Sequence, residues 1–128
     1  MQSFRRLIVW EKAHTLALQV RAATRSFPRR GYATLISQIL RSAESIPSNI
    51  VEGCGSAGPR EFARYLDIAI KSSCELEYQL ELARDCGVLP ESTWRLRTAD
   101  AVEIRRMLCG LRRKVLLPDW EPSPKTVD

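Results

Sequence analysis

A helical apolar pattern near the middle of the sequence runs through a proline. Ile39, Ala43, Ile46 and Ile50 are spaced four, three and four residues apart, so one face of a helix stays apolar across Pro47. A proline inside a helix removes one backbone hydrogen bond and bends the helix. The segment is therefore predicted to be a bent helix, in which the carbonyl groups freed at the bend need other hydrogen-bond donors.

Polar residues of the same segment can supply those donors. Ser45 and Asn49 can hydrogen-bond the freed carbonyl groups, and Glu52 can pair with an arginine. Polar groups that are buried inside a bundle must be hydrogen-bonded. Arg41, paired with Glu52 or with Glu75, is the expected ion pair. This set is interpreted either as a polar network that fixes helix register or subunit packing, or as a pocket for a ligand or partner.

Apolar spacing predicts four amphipathic helices and no β-strand. The predicted helices cover about residues 7–25, 35–52, 59–86 and 90–116. Amphipathic helices joined by short turns favour an antiparallel up-down-up-down four-helix bundle. The fold class is therefore predicted to be all-α, with one domain over residues 1–117.

The segment after the fourth predicted helix has a different composition. Residues 118–128 contain three prolines and no apolar periodicity. This part is predicted to be a flexible, proline-rich tail.

Composition indicates a globular protein away from membranes. With 128 residues, of which 45% are hydrophobic, the chain can bury the core of one domain. No apolar stretch reaches the roughly 20 residues that cross a bilayer. Charged residues at Glu11 and Lys12 interrupt the first apolar run, so no signal peptide is predicted. We expect a cytoplasmic location and no membrane partner.

Nothing in the sequence predicts an enzyme, a cofactor or a metal site. The four cysteines form no CxxC pair and are expected to be reduced and buried, and the one histidine, His14, has no nearby catalytic pattern. The glycines between Gly53 and Gly58 lack the lysine and the preceding strand of a nucleotide-binding loop. The expected protein is therefore non-enzymatic.

Charge is distributed unevenly along the chain. The net charge is +5, but residues 1–30 contain seven basic and one acidic residue, and residues 89–117 contain seven basic and three acidic ones. The first and last helices of an up-down bundle are neighbours. The two basic segments are therefore expected to lie side by side.

Arginine dominates these basic segments, since 16 of the 20 basic residues are arginine. Arginine forms bidentate contacts with phosphate, which favours nucleic-acid binding. The alternative is a solvated surface on which each arginine pairs with a carboxylate of a neighbouring helix. The predicted nucleic-acid-binding residues are Arg21, Arg25, Arg29, Arg30, Arg105, Arg106, Arg112 and Arg113. The last four, on the fourth helix, are expected to form one stripe that faces away from the core.

Four segments together resemble one family of bacterial four-helix bundles. They are Phe4 to Lys12, Phe27-Pro28, Gln38 to Gly53, and Ser72 to Leu80. These segments resemble the 23S rRNA-intervening-sequence family. The resemblance extends over about residues 4–117. Departures from the family pattern occur at Arg30, Gly31, Leu40, Glu44 and Lys71.

The resemblance implies a ring-shaped homopentamer with a basic surface. Relatives serve as accessory subunits of the reverse transcriptase in diversity-generating retroelements, so the resemblance also implies RNA or DNA and a reverse transcriptase as partners. The expected function is that of a non-enzymatic, oligomeric accessory protein that contacts the phosphate backbone. The alternative is a protein-interaction scaffold that does not bind nucleic acid.

Overall fold

The computed structural model describes residues 2–122, which form four α-helices. A short 3₁₀ helix at Phe4–Arg6 precedes them. No helix end differs by more than two residues from the position predicted by the apolar spacing. The helices are α1 (Ile8–Thr24), α2 (Ala33–Cys54), α3 (Pro59–Asp85) and α4 (Glu91–Val115).

The helices pack as an antiparallel bundle. Each helix contacts the helix before and after it in the chain, and α1 also contacts α4. An ion pair of 3.0 Å between Lys12 Nζ and Glu103 Oε1 joins these two outer helices. The prediction of an all-α four-helix bundle is confirmed.

One core is formed where the apolar seams of the four helices meet. Each helix contributes side chains that are shielded from solvent, such as Val20, Ile46, Leu76 and Leu108. All four residues that define the pattern across Pro47 are buried. The apolar face predicted for α2 is therefore the face that packs into the bundle.

Helix α2 continues through Pro47 without interruption, and the proline is buried. The Asn49 amide Nδ2 donates hydrogen bonds to the carbonyl oxygen of Ser45 at 2.8 Å and to its hydroxyl oxygen at 2.9 Å. The carbonyl that loses its helical donor to Pro47 is that of Ala43, four residues earlier. The prediction that Asn49 satisfies the freed carbonyl is therefore wrong, because its amide binds the carbonyl two residues further along.

The Ser45 hydroxyl instead connects two helices. It accepts a hydrogen bond of 2.9 Å from the hydroxyl of Ser72 on α3. Small side chains at this crossing let α2 and α3 approach closely enough for direct hydroxyl contact. The contact also fixes which turn of α2 lies opposite which turn of α3.

The first residues of the predicted tail contact the bundle. The chain turns after Val115, and the backbone N–H of Trp120 donates to the carbonyl of Leu117 at 3.2 Å. The Trp120 indole then packs edge-on against the buried Phe62 ring, with centroids 5.9 Å apart. This contact anchors residues 118–122 to the bundle. The rest of the predicted tail, residues 123–128, lies outside the described residues.

The four cysteines differ in their environments, although all are free thiols. Only Cys54 is buried, Cys109 is half-buried, and Cys74 and Cys86 are exposed. The expectation that all four thiols are buried is therefore wrong, because Cys74 and Cys86 lie on the outer surface of α3 and its C-terminal turn.

Close packing at the end of α2 yields a stability prediction. A Cβ atom at Gly53 would lie 2.7 Å from Cδ1 of the buried Phe62 ring and 3.2 Å from the Tyr65 Cβ. We expect Gly53→Ala to lower the free energy of unfolding by about 1–2 kcal/mol, because overpacking outweighs the gain in helix propensity. Urea unfolding followed by circular dichroism measures this change.

Gly55→Ala is the matched control, since a Cβ there meets atoms no closer than 3.8 Å. We expect it to change the free energy by less than about 0.5 kcal/mol. Equal effects of the two substitutions would contradict the proposed crowding at Gly53.

Candidate nucleic-acid interface

The structure divides the eight predicted arginines into a paired set and an unpaired set. Three of them contact a carboxylate of a neighbouring helix. These are Arg21 with Glu44, Arg105 with Glu77, and Arg112 with Asp67. These three arginines therefore follow the alternative interpretation, in which each arginine pairs with a carboxylate of a neighbouring helix.

Arg105 is the most enclosed of the three. Its side chain is 24% exposed, and its Nη2 lies 2.7 Å from Glu77 Oε1. Burial lowers the pKa of the Arg105 guanidinium, but hydrogen bonds to Glu77 and Cys74 and the charges of these groups raise that pKa above its ordinary value. This guanidinium is held between α3 and α4 and is poorly placed to contact a polymer outside the bundle.

The predicted stripe of four arginines on α4 is therefore wrong. Arg105 and Arg112 face α3, where their carboxylate partners lie, whereas Arg106 and Arg113 are exposed and have no carboxylate partner within residues 2–122. Successive helical residues are rotated by roughly 100°, so Arg106 lies about 200° from the buried Ile104 and points away from the core. Only two of the four guanidinium groups face solvent together.

Three further exposed arginines occupy the connection between α1 and α2. Arg25, Arg29 and Arg30 form no ion pair with any carboxylate in the described part of the chain. The first turn of α2 contains no acidic residue, and its N-cap residue, Tyr32, makes no side-chain capping hydrogen bond. The positive end of the α2 dipole therefore adds to the charge of these arginines.

The two unpaired groups lie far apart along the bundle. The Lys12–Glu103 ion pair sets the level at which α1 and α4 face each other. At about 1.5 Å per residue, Arg25 lies ~20 Å from this level in one direction and Arg106 lies ~4 Å from it in the other. The basic residues of α1 and α4 thus form two separate patches, the α1–α2 patch (Arg25, Arg29, Arg30) and the α4 patch (Arg106, Arg113).

The comparisons with known proteins agree with this architecture. The sequence profile described as 23S rRNA-intervening sequence protein matches residues 5–110. The chain belongs to this family. No protein with a curated description matches it.

A solved structure of the same kind supports the family assignment. It is a crystal structure of a protein of unknown function from the S23 ribosomal protein family of Bacteroides thetaiotaomicron VPI-5482. The two sequences are 25% identical, and the structures superpose with a TM-score of 0.74. The superposition covers 83% of this chain and 99% of the Bacteroides chain.

In this 23S rRNA-intervening sequence protein, the charged members of the central motif lie on the surface. Arg41, Glu52 and Glu75 are exposed, and no ion pair joins them within residues 2–122. Ser45 and Asn49 alone form the hydrogen-bonded part of the predicted polar set. The predicted Arg41 ion pair with Glu52 or Glu75 is therefore absent from the described chain.

Arg41 and Glu75 instead line a groove between α2 and α3, which we call the α2–α3 groove. Its volume is about 490 Å³, and Ser45, Lys71 and Tyr78 also line it. The Tyr78 side chain is 63% exposed. Unpaired charges of both signs and an exposed aromatic ring make this groove a candidate contact surface for a protein partner.

Sequence reasoning missed the apolar residues that lie beside the α1–α2 patch. A cavity of about 410 Å³ is lined by Arg25 and Arg29 together with Phe27, Ile36 and Leu40. The spacing of Ile36 and Leu40, four residues apart on one side of α2, was the available signal. This spacing does not indicate which residues of the α1–α2 connection face Ile36 and Leu40.

Two general features complete the description of the surface. None of the helices within residues 2–122 is long and apolar enough to cross a membrane. In the same residues, no group of three or more His, Cys, Asp or Glu side chains is arranged to hold a metal ion. His14 is exposed and stacks on the Trp10 ring, with centroids 5.2 Å apart.

The division into paired and unpaired arginines yields a second stability prediction. We expect Arg105→Glu to lower the free energy of unfolding by about 1–3 kcal/mol, because it places a second carboxylate against Glu77 in a largely enclosed site. The neighbouring Arg106→Glu makes the same change of charge at an exposed position and should alter stability by less than about 0.5 kcal/mol. Thermal unfolding measures both, and equal losses would contradict the assignment of Arg105 to the helix interface.

Proposed function

We propose that this protein is a non-enzymatic, oligomeric accessory factor that binds the phosphate backbone of RNA or DNA. The α1–α2 patch and the α4 patch are the binding residues. The observation that carries the proposal is the pairing pattern, since these five guanidinium groups are exposed and lack carboxylate partners in the described chain. The other three predicted arginines are removed from the binding set because carboxylates hold them.

The chemistry of these residues fits a polyanion. A guanidinium group donates several hydrogen bonds in one plane and matches two phosphate oxygens at once. The net charge of +5 attracts a polyanion to the protein in a way that does not depend on base sequence. The family description refers to 23S rRNA, which is in keeping with RNA as one such polymer.

The assembly and the partner form the finer part of the proposal. By resemblance, the bundle forms a homopentameric ring and serves a reverse transcriptase of a retroelement in the cytoplasm. Two separated patches on each subunit would then repeat around the ring and offer many phosphate contacts to one polymer. Light scattering on the purified chain tests the assembly, and a mass that corresponds to a monomer would contradict it.

The proposed site makes a prediction about binding. We expect the triple substitution of Arg25, Arg29 and Arg30 by glutamine to weaken binding of a 20-nucleotide RNA at least about tenfold at low salt. The slope of log affinity against log salt should also become shallower, by about 0.7 for each phosphate of a single strand that the variant no longer neutralises. Fluorescence anisotropy at several salt concentrations measures both quantities.

A matched control changes the same number of charges elsewhere on the surface. Arg60, Arg64 and Arg95 are exposed and lie outside both patches, and Arg64 and Arg95 pair with Glu61 and Glu91 of their own helices. Their triple substitution by glutamine should leave affinity and salt slope nearly unchanged. Equal losses in the two triple variants would indicate that net charge alone attracts the polymer, and affinity that ignores salt would contradict phosphate binding.

The alternative function is a protein-interaction scaffold, and the α2–α3 groove is the observation that favours it. Arg41, Lys71 and Glu75 lie unpaired around one groove with the exposed Tyr78, although other charges of α3 are paired. Groups of both signs in one groove can be satisfied by the surface of a second subunit or of another protein.

The scaffold alternative predicts that charge reversal in the groove alters the assembly. We expect Glu75→Arg to lower the mass measured by light scattering if this groove is a subunit contact, because Lys71 and Arg41 would then face a third positive charge. Glu81→Arg, at an exposed position outside the groove, is the control. An unchanged mass in both variants would exclude the groove from the subunit interface.

A further inference from the structure

The cavity beside the α1–α2 patch has two chemically different parts. Arg25 and Arg29 supply exposed guanidinium groups, and neither has a carboxylate partner within residues 2–122. Phe27, Ile36 and Leu40 supply apolar surface. Phe27 is only 4% exposed, whereas Ile36 and Leu40 are half-buried.

A third arginine lines the cavity but is already neutralised. Arg21 Nε donates a hydrogen bond of 3.2 Å to Glu44 Oε2. The charges available to a ligand are therefore those of Arg25 and Arg29. Because neither of these two arginines is paired with a carboxylate within residues 2–122, the cavity favours a ligand that carries negative charge.

The apolar part of the cavity indicates that a phosphate group is not the whole ligand. A phosphate gains nothing from contact with Ile36 and Leu40, which are half-buried and keep part of their surface in water. A nucleobase has flat faces that pack against apolar groups and against guanidinium planes, and its edges accept hydrogen bonds from arginine. The cavity of about 410 Å³ is within the range of ~300–1,000 Å³ that is typical of small-molecule sites.

We propose that this cavity binds one unstacked base of a single-stranded nucleic acid, while Arg25 and Arg29 contact the phosphates on either side of that base. The proposal rests on the proposed function, and it adds that single strands are preferred over duplexes. Bases of a duplex are stacked and paired inside the helix, so they cannot enter the cavity without being extruded. A single strand presents its bases freely.

The direct test uses the unmodified protein and two probes that have the same phosphates. One is a fluorescent 20-nucleotide oligodeoxythymidine, and the other is a 20-nucleotide strand with abasic sites at every internal position. We expect the intact strand to bind at least about fivefold more tightly than the abasic strand, because the latter has no internal base that can enter the cavity. We also expect a 20-base-pair duplex of the same sequence to bind less tightly than the intact single strand when compared per phosphate.

A pair of variants locates the effect in the cavity. Leu40→Trp fills the cavity without changing any charge, and Leu18→Trp adds the same indole to an exposed position of α1 that does not line it. We expect Leu40→Trp to bind the intact strand and the abasic strand equally, whereas Leu18→Trp retains the difference. Ile36→Trp is a second filling variant, and circular dichroism identifies any variant that fails to fold.

The outcomes separate this proposal from the proposed function. Equal binding of intact and abasic strands by the unmodified protein would overturn the base site, while salt-dependent binding that requires Arg25 and Arg29 would leave the proposed function standing. Retention of the preference in both filling variants would also overturn the site. Failure to bind either strand at low salt would overturn the proposed function together with the base site.

Discussion

Burial of the apolar seams in one shared core is the constraint on which the rest of the structure depends. Isolated helices of this kind are marginally stable in water, and packing of an apolar face supplies most of their stability. Val20, Ile46, Leu76 and Leu108 show the result, since one side chain from each helix is shielded by the other three helices. Once these seams are joined, the orientation of every polar side chain on the outer surface follows.

The same packing decides which arginines remain available to a ligand. Residues beside the seam are brought against a neighbouring helix, and there Arg105 and Arg112 meet Glu77 and Asp67. Residues opposite the seam, or in the turn between helices, are beyond the reach of such partners. Substitutions at turn and outer-face positions can therefore change the charge of the surface with little effect on the stability of the core.

Much of the fold could be predicted from the sequence because apolar spacing is a local property. The spacing around Pro47 predicts a continuous apolar face, and α2 does continue through the proline. The ion pairs of the arginines could not be predicted in this way, because they depend on residues far away in the sequence. Arg112 and Asp67 are 45 positions apart, and helical spacing within α4 contains no information about the register of α3.

Other contacts that the sequence analysis did not predict depend on the tertiary structure in the same way. Three prolines indicate a tail without helical structure, but they do not reveal that Trp120 finds the Phe62 ring. Likewise, the need of buried polar groups for partners predicted an ion pair of Arg41 with Glu52 or Glu75, whereas the packing of α2 against α3 leaves Arg41 exposed and lining a groove. In each case the deciding contact lies between segments whose relative position only the tertiary structure fixes.

The first and last described segments of the chain are anchored at the same end of the bundle. The backbone N–H of Gln2 donates to the carbonyl of Cys54 at 3.2 Å, and Gln2 and Trp120 both line a cavity next to the start of α3. The α1–α2 turn lies at the other end of the bundle. A chain in which residues 2 and 122 are joined directly thus needs only a short linker, which lies at the opposite end of the bundle from that turn.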